Sequence, residues 1–185
     1  MSAASTLTGL TIEQYLSYEA PEGFRDELID GEIILSPAAK PNHNDISLRL
    51  SDLLRSAVHG SSFIVRQEMN MRLNAQNSMP SPDIFVIGRA RWNAAVAEDR
   101  YPEGSPELAI EVFSPSNNNR KFQRKLELYL QTGSAAVWVV YPETQTVRVH
   151  DRSGVRDFGS NETLQLPAPL PSATIAVADI FTPPD

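Results

Sequence analysis

Glu111 is the charged residue that fits its surroundings least. It lies inside Leu108-Ala109-Ile110-Glu111-Val112-Phe113, an otherwise apolar run, where strand alternation puts it on the face of Ala109 and Phe113. A carboxylate there is costly unless it is paired or binds a metal. Asp83 opens the preceding apolar run, directly after Pro80-Ser81-Pro82. If the two runs are antiparallel neighbours, the start of one lies beside the end of the other. Asp83 and Glu111 then converge at one rim of a sheet. Two carboxylates about 4 Å apart repel by about 4 kcal/mol at an effective dielectric of about 20. Three responses are open to such a pair: protonation, neutralisation by a cation of the protein, or capture of a divalent metal. Oxygen donors without cysteine, and with only scattered histidines, favour Mg²⁺ or Mn²⁺ over zinc. A metal of that kind polarises a phosphoryl oxygen and generates hydroxide, which is the chemistry of phosphodiester hydrolysis.

On the segment that follows, Lys121 and Lys125 are four apart and share a helix face, with Arg120 and Arg124 alongside. Either lysine, placed over the sheet rim, can orient an attacking water or stabilise charge on the phosphorane. The same residues admit a structural reading, as an acidic strand start and a solvated basic stripe.

The elements that must position these groups are legible in outline. Thr11 caps a short helix, Ile12 to Tyr18, with Gln14 in a capping-box position. Arg25 to Ser36 forms a hairpin around Asp30-Gly31, the dipeptide that a type I′ turn prefers. Asn42 or Asn44 caps a helix running to about Val58, whose Ile46, Leu50, Leu53, Leu54, Ala57 and Val58 share one face. Phe63 to Leu73 reads as a strand or a bent strand pair, Asp83 to Ile87 as a strand, and Arg89 to Arg100 as a loop with a short helix. Glu107 to Phe113 is a strand. Asn117 or Asn118 caps the helix Asn119 to Gln131, which Gly133 stops. Val137 to Tyr141 and Thr146 to His150 form a hairpin, and the proline-rich tail reads as an irregular edge wrap. From Asn42 the order is α, β, β, β, α, β, and the strand–helix–strand crossover should be right-handed and parallel. The fold class is α/β, a mixed central sheet flanked by helices.

Composition bounds the rest. The chain has 185 residues, 41% hydrophobic and 21% charged, as expected of one soluble globular domain. No run reaches the ~20 apolar residues of a membrane span. Met1 to Leu10 lacks the basic and apolar regions of a secretory signal, and cysteine is absent, so a cytoplasmic location is expected. The formal charge of −7 speaks against a nonspecific DNA coat, whose affinity scales with phosphates neutralised. It leaves room for a nuclease in which carboxylates hold metal and a local basic patch holds the strand.

Asp26-Glu27-Leu28-Ile29-Asp30-Gly31-Glu32-Ile33, Ser81-Pro82-Asp83-Ile84, Glu107 to Ser116 and Lys125-Leu126-Glu127-Leu128-Tyr129 occur in that order, followed by Gly133 and Val137-Trp138-Val139-Val140. Together they resemble the bacterial "putative restriction endonuclease" family, the Uma-two family, of the PD-(D/E)XK nuclease-like superfamily. The resemblance covers roughly Leu10 to Phe181. It implies a restriction-endonuclease-like αβββαβ core with an added N-terminal hairpin and C-terminal strands. It also implies an Mg²⁺-dependent (or Mn²⁺-dependent) endonuclease acting on nucleic acid, DNA in particular. Asp83 and Glu111 would be metal ligands, Lys125 the lysine moved from its usual place two residues after the glutamate (here Phe113), and Glu27 a further acidic residue of the site. His43 matches the family's histidine at a helix start and is expected to hydrogen-bond or cap. Two positions depart from the family's pattern: Lys121 and Tyr141 stand where Asp is frequent. The alternative is a nuclease-fold module that binds nucleic acid or a protein without cutting. A homodimer is also expected, because the hairpins Arg25 to Ser36 and Thr146 to His150 offer strand edges that must be covered.

Overall fold

The computed structural model describes residues 8–114 and 119–182. The first elements are α1 (Ile12–Tyr15), β1 (Phe24–Ile29) and β2 (Glu32–Pro37), followed by the long helix α2 (Pro41–Ala57). Next come β3 (Phe63–Gln67), β4 (Ile84–Gly88), α3 (Arg89–Ala97), β5 (Leu108–Val112), α4 (Asn119–Gln131) and β6 (Ala136–Tyr141). The chain closes with β7 (Thr146–Asp151), β8 (Gly154–Phe158), β9 (Thr163–Gln165), β10 (Thr174–Ala176) and α5 (Val177–Phe181). A six-stranded sheet runs in the order β3-β4-β5-β6-β7-β8. All its pairings are antiparallel except β5 with β6, where α4 makes the crossover. The expected mixed sheet and αβββαβ order are therefore observed, with α3 inserted between the second and third strands.

Alternation sorts β5 between two cores. Leu108, Ile110 and Val112 pack with Ile46, Leu50 and Leu54 of α2, while Ala109 packs with Phe122, Leu126 and Tyr129 of α4. A central strand covered on both faces needs apolar residues throughout, which is why the run around Glu111 reads as continuous. Leu50 is fully buried at the centre of the α2 face. Leu50→Ala is expected to cost about 2–5 kcal/mol, read as a lower urea midpoint at unchanged slope.

The N-terminal hairpin is built as its sequence requires: Asp30 and Gly31 have φ of 49° and 77°, the left-handed pair of the turn. The hairpin is held against α4 by Arg124, which donates from Nε and Nη2 to the two Asp30 carboxylate oxygens at 2.6 and 2.9 Å, and by the Lys121–Glu32 ion pair. Leu28 exchanges backbone hydrogen bonds with Met79. Those contacts carry Glu27 to the end of the sheet where β4 begins.

Several expectations need correction. The N-cap of α2 is Lys40 and Pro41 occupies the first helical turn, so Asn42 and Asn44 lie inside the helix; proline's preset φ starts a helix without a side-chain cap. The Thr11 capping box is present, but α1 ends at Tyr15, before Tyr18. Beyond Gln67, the segment to Leu73 is irregular rather than strand. The tail forms β8, β9, β10 and α5, with Leu164, Ile175 and Ile180 in the α2-side core. Thr146 to His150 is no free edge, because β7 lies between β6 and β8, and the exposed edge strand on that side of the sheet is β8. The proposed caps Asn117 and Asn118 lie outside the described residues. Among those residues, no helix is long and apolar enough to cross a membrane.

Candidate active site

The β4–β5 register aligns Ile84 with Ile110, so the next cross-strand position sets Asp83 beside Glu111. The Val112 N–H donates to Asp83 Oδ2 at 2.7 Å, tying the carboxylate to the neighbouring strand. His43, in the first turn of α2, lies 3.2 Å from the same oxygen through Nε2. Burial acts to raise the pKa of Asp83, but the His43 hydrogen bond and charge, Lys125 and the Val112 amide together lower it below its ordinary value. An ionised carboxylate only accepts, so Nε2 of His43 carries the proton. Its Nδ1 is buried, with no hydrogen-bond partner among the described residues. His43 acts here as a positioning residue and not as a helix cap.

Lys125 is the centre of the cluster. Its Nζ lies 2.7 Å from Glu27 Oε1 and 2.8 Å from Glu111 Oε1, and it donates to the Ser81 carbonyl at 2.9 Å. Three donors thus meet three acceptors, and the ammonium is 7% exposed as a residue. Burial works against the charged lysine; Glu111, Glu27 and Asp83 outweigh it and raise its pKa above the ordinary range. Glu27 Oε1 also accepts from the Ser81 N–H at 2.5 Å. Tyr129, one helical turn after Lys125, donates to Glu111 Oε1 at 3.1 Å.

Glu111 is 4% exposed. Burial is the largest influence on its carboxyl, and Asp83 and Glu27 add to it; Lys125 opposes them, and the pKa is pushed up to about 8. Burial sets the sense of the shift, and the gathering of three carboxylates around a single lysine reinforces it.

All four expected site residues, Asp83, Glu111, Lys125 and Glu27, line one cavity of about 800 Å³, together with His43. Lys121 lines it too, but its partner is Glu32 of the hairpin. Spacing along the helix leaves the two lysines equivalent; depth over the sheet separates them. Tyr129 and the Ser81 carbonyl were missed. The 125/129 spacing on one helix face carried a signal for the tyrosine, although an aromatic there reads first as core.

The donor set suits a hard divalent cation. Among the described residues, both hydrogen bonds to Asp83 fall on Oδ2 and leave Oδ1 to a cation, and Glu111 retains lone pairs beyond those taken by Lys125 and Tyr129. Among the described residues, no three His, Asp or Glu side chains form a ready-made metal cage. Mg²⁺ does not need one, since it keeps several waters and binds through one or two carboxylates plus substrate phosphate.

A family model described as "Putative restriction endonuclease" matches residues 12–178. Two uncharacterized proteins of Synechocystis sp. are similar. One, slr1290, is 27% identical over 129 residues, covering 69% of this chain and 66% of its own length. The other, sll1609, is 29% identical over 133 residues, covering 66% and 71%. The chain thus spans about two-thirds of the length of these relatives. The crystal structure of a putative nuclease belonging to DUF820 from Anabaena variabilis superposes with a TM-score of 0.78 at 21% identity, over 93% of this chain and 97% of that one. At that identity the likeness establishes the fold.

Proposed function

Since the chain belongs to the putative restriction endonuclease family, we propose that it is a nuclease hydrolysing phosphodiester bonds of nucleic acid, DNA in particular, with Mg²⁺ or Mn²⁺ held by Asp83 and Glu111. The observation that carries this reading is the buried Lys125 ammonium bonded to Glu111 and Glu27, with Asp83 in register beside Glu111, at the wall of an open cavity.

In the reaction a water oxygen forms a bond to phosphorus and the bond from phosphorus to the leaving sugar oxygen breaks. The water loses a proton and the leaving oxygen gains one. A divalent cation, when bound, supplies Lewis-acid polarisation and a more acidic water. Lys125 stays protonated because its pKa is raised, so it is no general base. With its three N–H groups committed to Glu27, Glu111 and the Ser81 carbonyl, its role is to hold the two glutamates in place and to offset, through its charge, the negative charge gathering on the phosphoryl oxygens. Glu27 and the Ser81 carbonyl hold Nζ in place, and His43 with the Val112 amide fixes the Asp83 carboxylate. Tyr129 braces Glu111 from the helix side.

A second reading is a binding module that does not cut. It is favoured by the same ion pairs, because Lys125 already partly neutralises the carboxylates. Calorimetric titration with Mn²⁺ separates the two. Binding by the native protein, lost in Asp83→Asn, is expected for the nuclease. Absence of Mn²⁺ binding by the native protein would favour the binding module.

A further inference from the structure

The cavity does not end at the carboxylates. Two residues beyond Glu111, the ring of Phe113 meets that of Tyr141, with centroids 5.1 Å apart and planes inclined by 38°. Phe122 of α4 meets Phe113 edge-on, with centroids 5.6 Å apart. Arg148 stacks its guanidinium 5.6 Å from the Tyr141 ring, which braces that ring from β7. Phe113 and Tyr141 are both half-buried and both line the cavity that holds Asp83, Glu111 and Lys125. The Phe113 N–H is fixed by the Val140 carbonyl at 2.8 Å, so the aromatic pair is set on the ends of β5 and β6 and not on a loose loop.

Charge points in the same direction. The chain carries a formal −7, and three of the four lysines and arginines lining this cavity are paired with carboxylates, Arg25 with Glu68, Lys121 with Glu32, and Lys125 with Glu27 and Glu111, the fourth being Lys40. Gripping a duplex by its phosphates demands many such cations. Base–aromatic stacking does not, and it needs only an exposed base face. In a closed duplex those faces are buried in the helix stack.

We propose that Phe113 and Tyr141 form a stacking subsite for an unpaired nucleobase next to the scissile phosphate, so that the substrate is single-stranded or locally unpaired nucleic acid rather than closed duplex. The assignment of a scissile phosphate rests on the phosphodiesterase reading above; the subsite itself is tested by binding.

The test is fluorescence anisotropy with a short labelled strand, the same strand as a duplex, and a fully abasic strand of equal length, with Ca²⁺ in place of Mg²⁺. Cleavage of the strand and the duplex is then compared in Mg²⁺. The native protein should bind the single strand about tenfold or more tightly than either the duplex or the abasic strand. Tyr141→Leu should weaken single-strand binding by about tenfold, and Tyr141→Phe should restore it. Equal affinity for the normal and abasic strands overturns the proposal, and this comparison does not depend on any variant folding. Base-dependent binding without cleavage would sink the phosphodiesterase reading and leave the subsite standing. Cleavage of duplex as fast as single strand, with binding indifferent to the bases, would do the reverse.

Discussion

Lys125→Met is expected to reduce cleavage by about 10²–10³-fold, the usual cost of losing a preorganised charge aimed at a transition state. It should also destabilise the metal-free protein. The ammonium is buried and bonded to Glu27, Glu111 and the Ser81 carbonyl, so its removal leaves two buried carboxylates without their cation. Breaking a buried pair in this way costs about 3–5 kcal/mol. The loss should grow as pH rises, because at low pH the orphaned carboxylates take up protons instead. A divalent metal should recover part of the stability by supplying the missing positive charge. Urea melts with chelator and with Mn²⁺, at acidic and at alkaline pH, check all three effects. Lys121→Met is the control: its partner Glu32 lies on the hairpin, so a smaller loss is expected.

Glu111→Gln should abolish cleavage while stabilising the metal-free protein in alkaline solution. The sign follows from linkage. The folded carboxyl has its pKa pushed up to about 8, against an ordinary value of 4.5. A raised folded pKa means that the native state holds the proton more tightly than the unfolded chain does. That stabilisation is complete below the ordinary value and is lost between it and about pH 8, at up to about 1.4 kcal/mol per pH unit for one proton. Glutamine cannot ionise, so the variant escapes this loss. The difference in unfolding free energy between variant and native protein should therefore widen from about pH 5 to about pH 8 and then level off. Parallel profiles across that window would show that Glu111 does not titrate there, and that Lys125 neutralises it fully.

The two central carboxylates were legible for a physical reason. Glu111 announces itself as a charge inside an apolar strand, and Asp83 follows from antiparallel register once the two strands are recognised. Lys125 was different. Four residues apart on a helix, Lys121 and Lys125 occupy one face, and only the helix's placement over the sheet decides which reaches the cluster. Glu27 depends on a hairpin docked by Arg124–Asp30 and Lys121–Glu32, contacts between residues roughly ninety positions apart that no local pattern encodes. His43 was expected to bond or to cap; it bonds Asp83, while proline at the helix start makes a side-chain cap unnecessary. The tail's strands are hidden in the sequence because prolines surround segments of only three residues, whose stability comes from burying Leu164 and Ile175 and not from propensity.

The most direct test of the central claim is cleavage of DNA in Mg²⁺ by the purified native protein and by Asp83→Asn, with both confirmed to be folded by circular dichroism. The account predicts metal-dependent cleavage by the native protein and a drop of about 10²-fold or more in the variant. Cleavage that survives Asp83→Asn unchanged would contradict it, because the carboxylate beside Glu111 would then have no part in the chemistry.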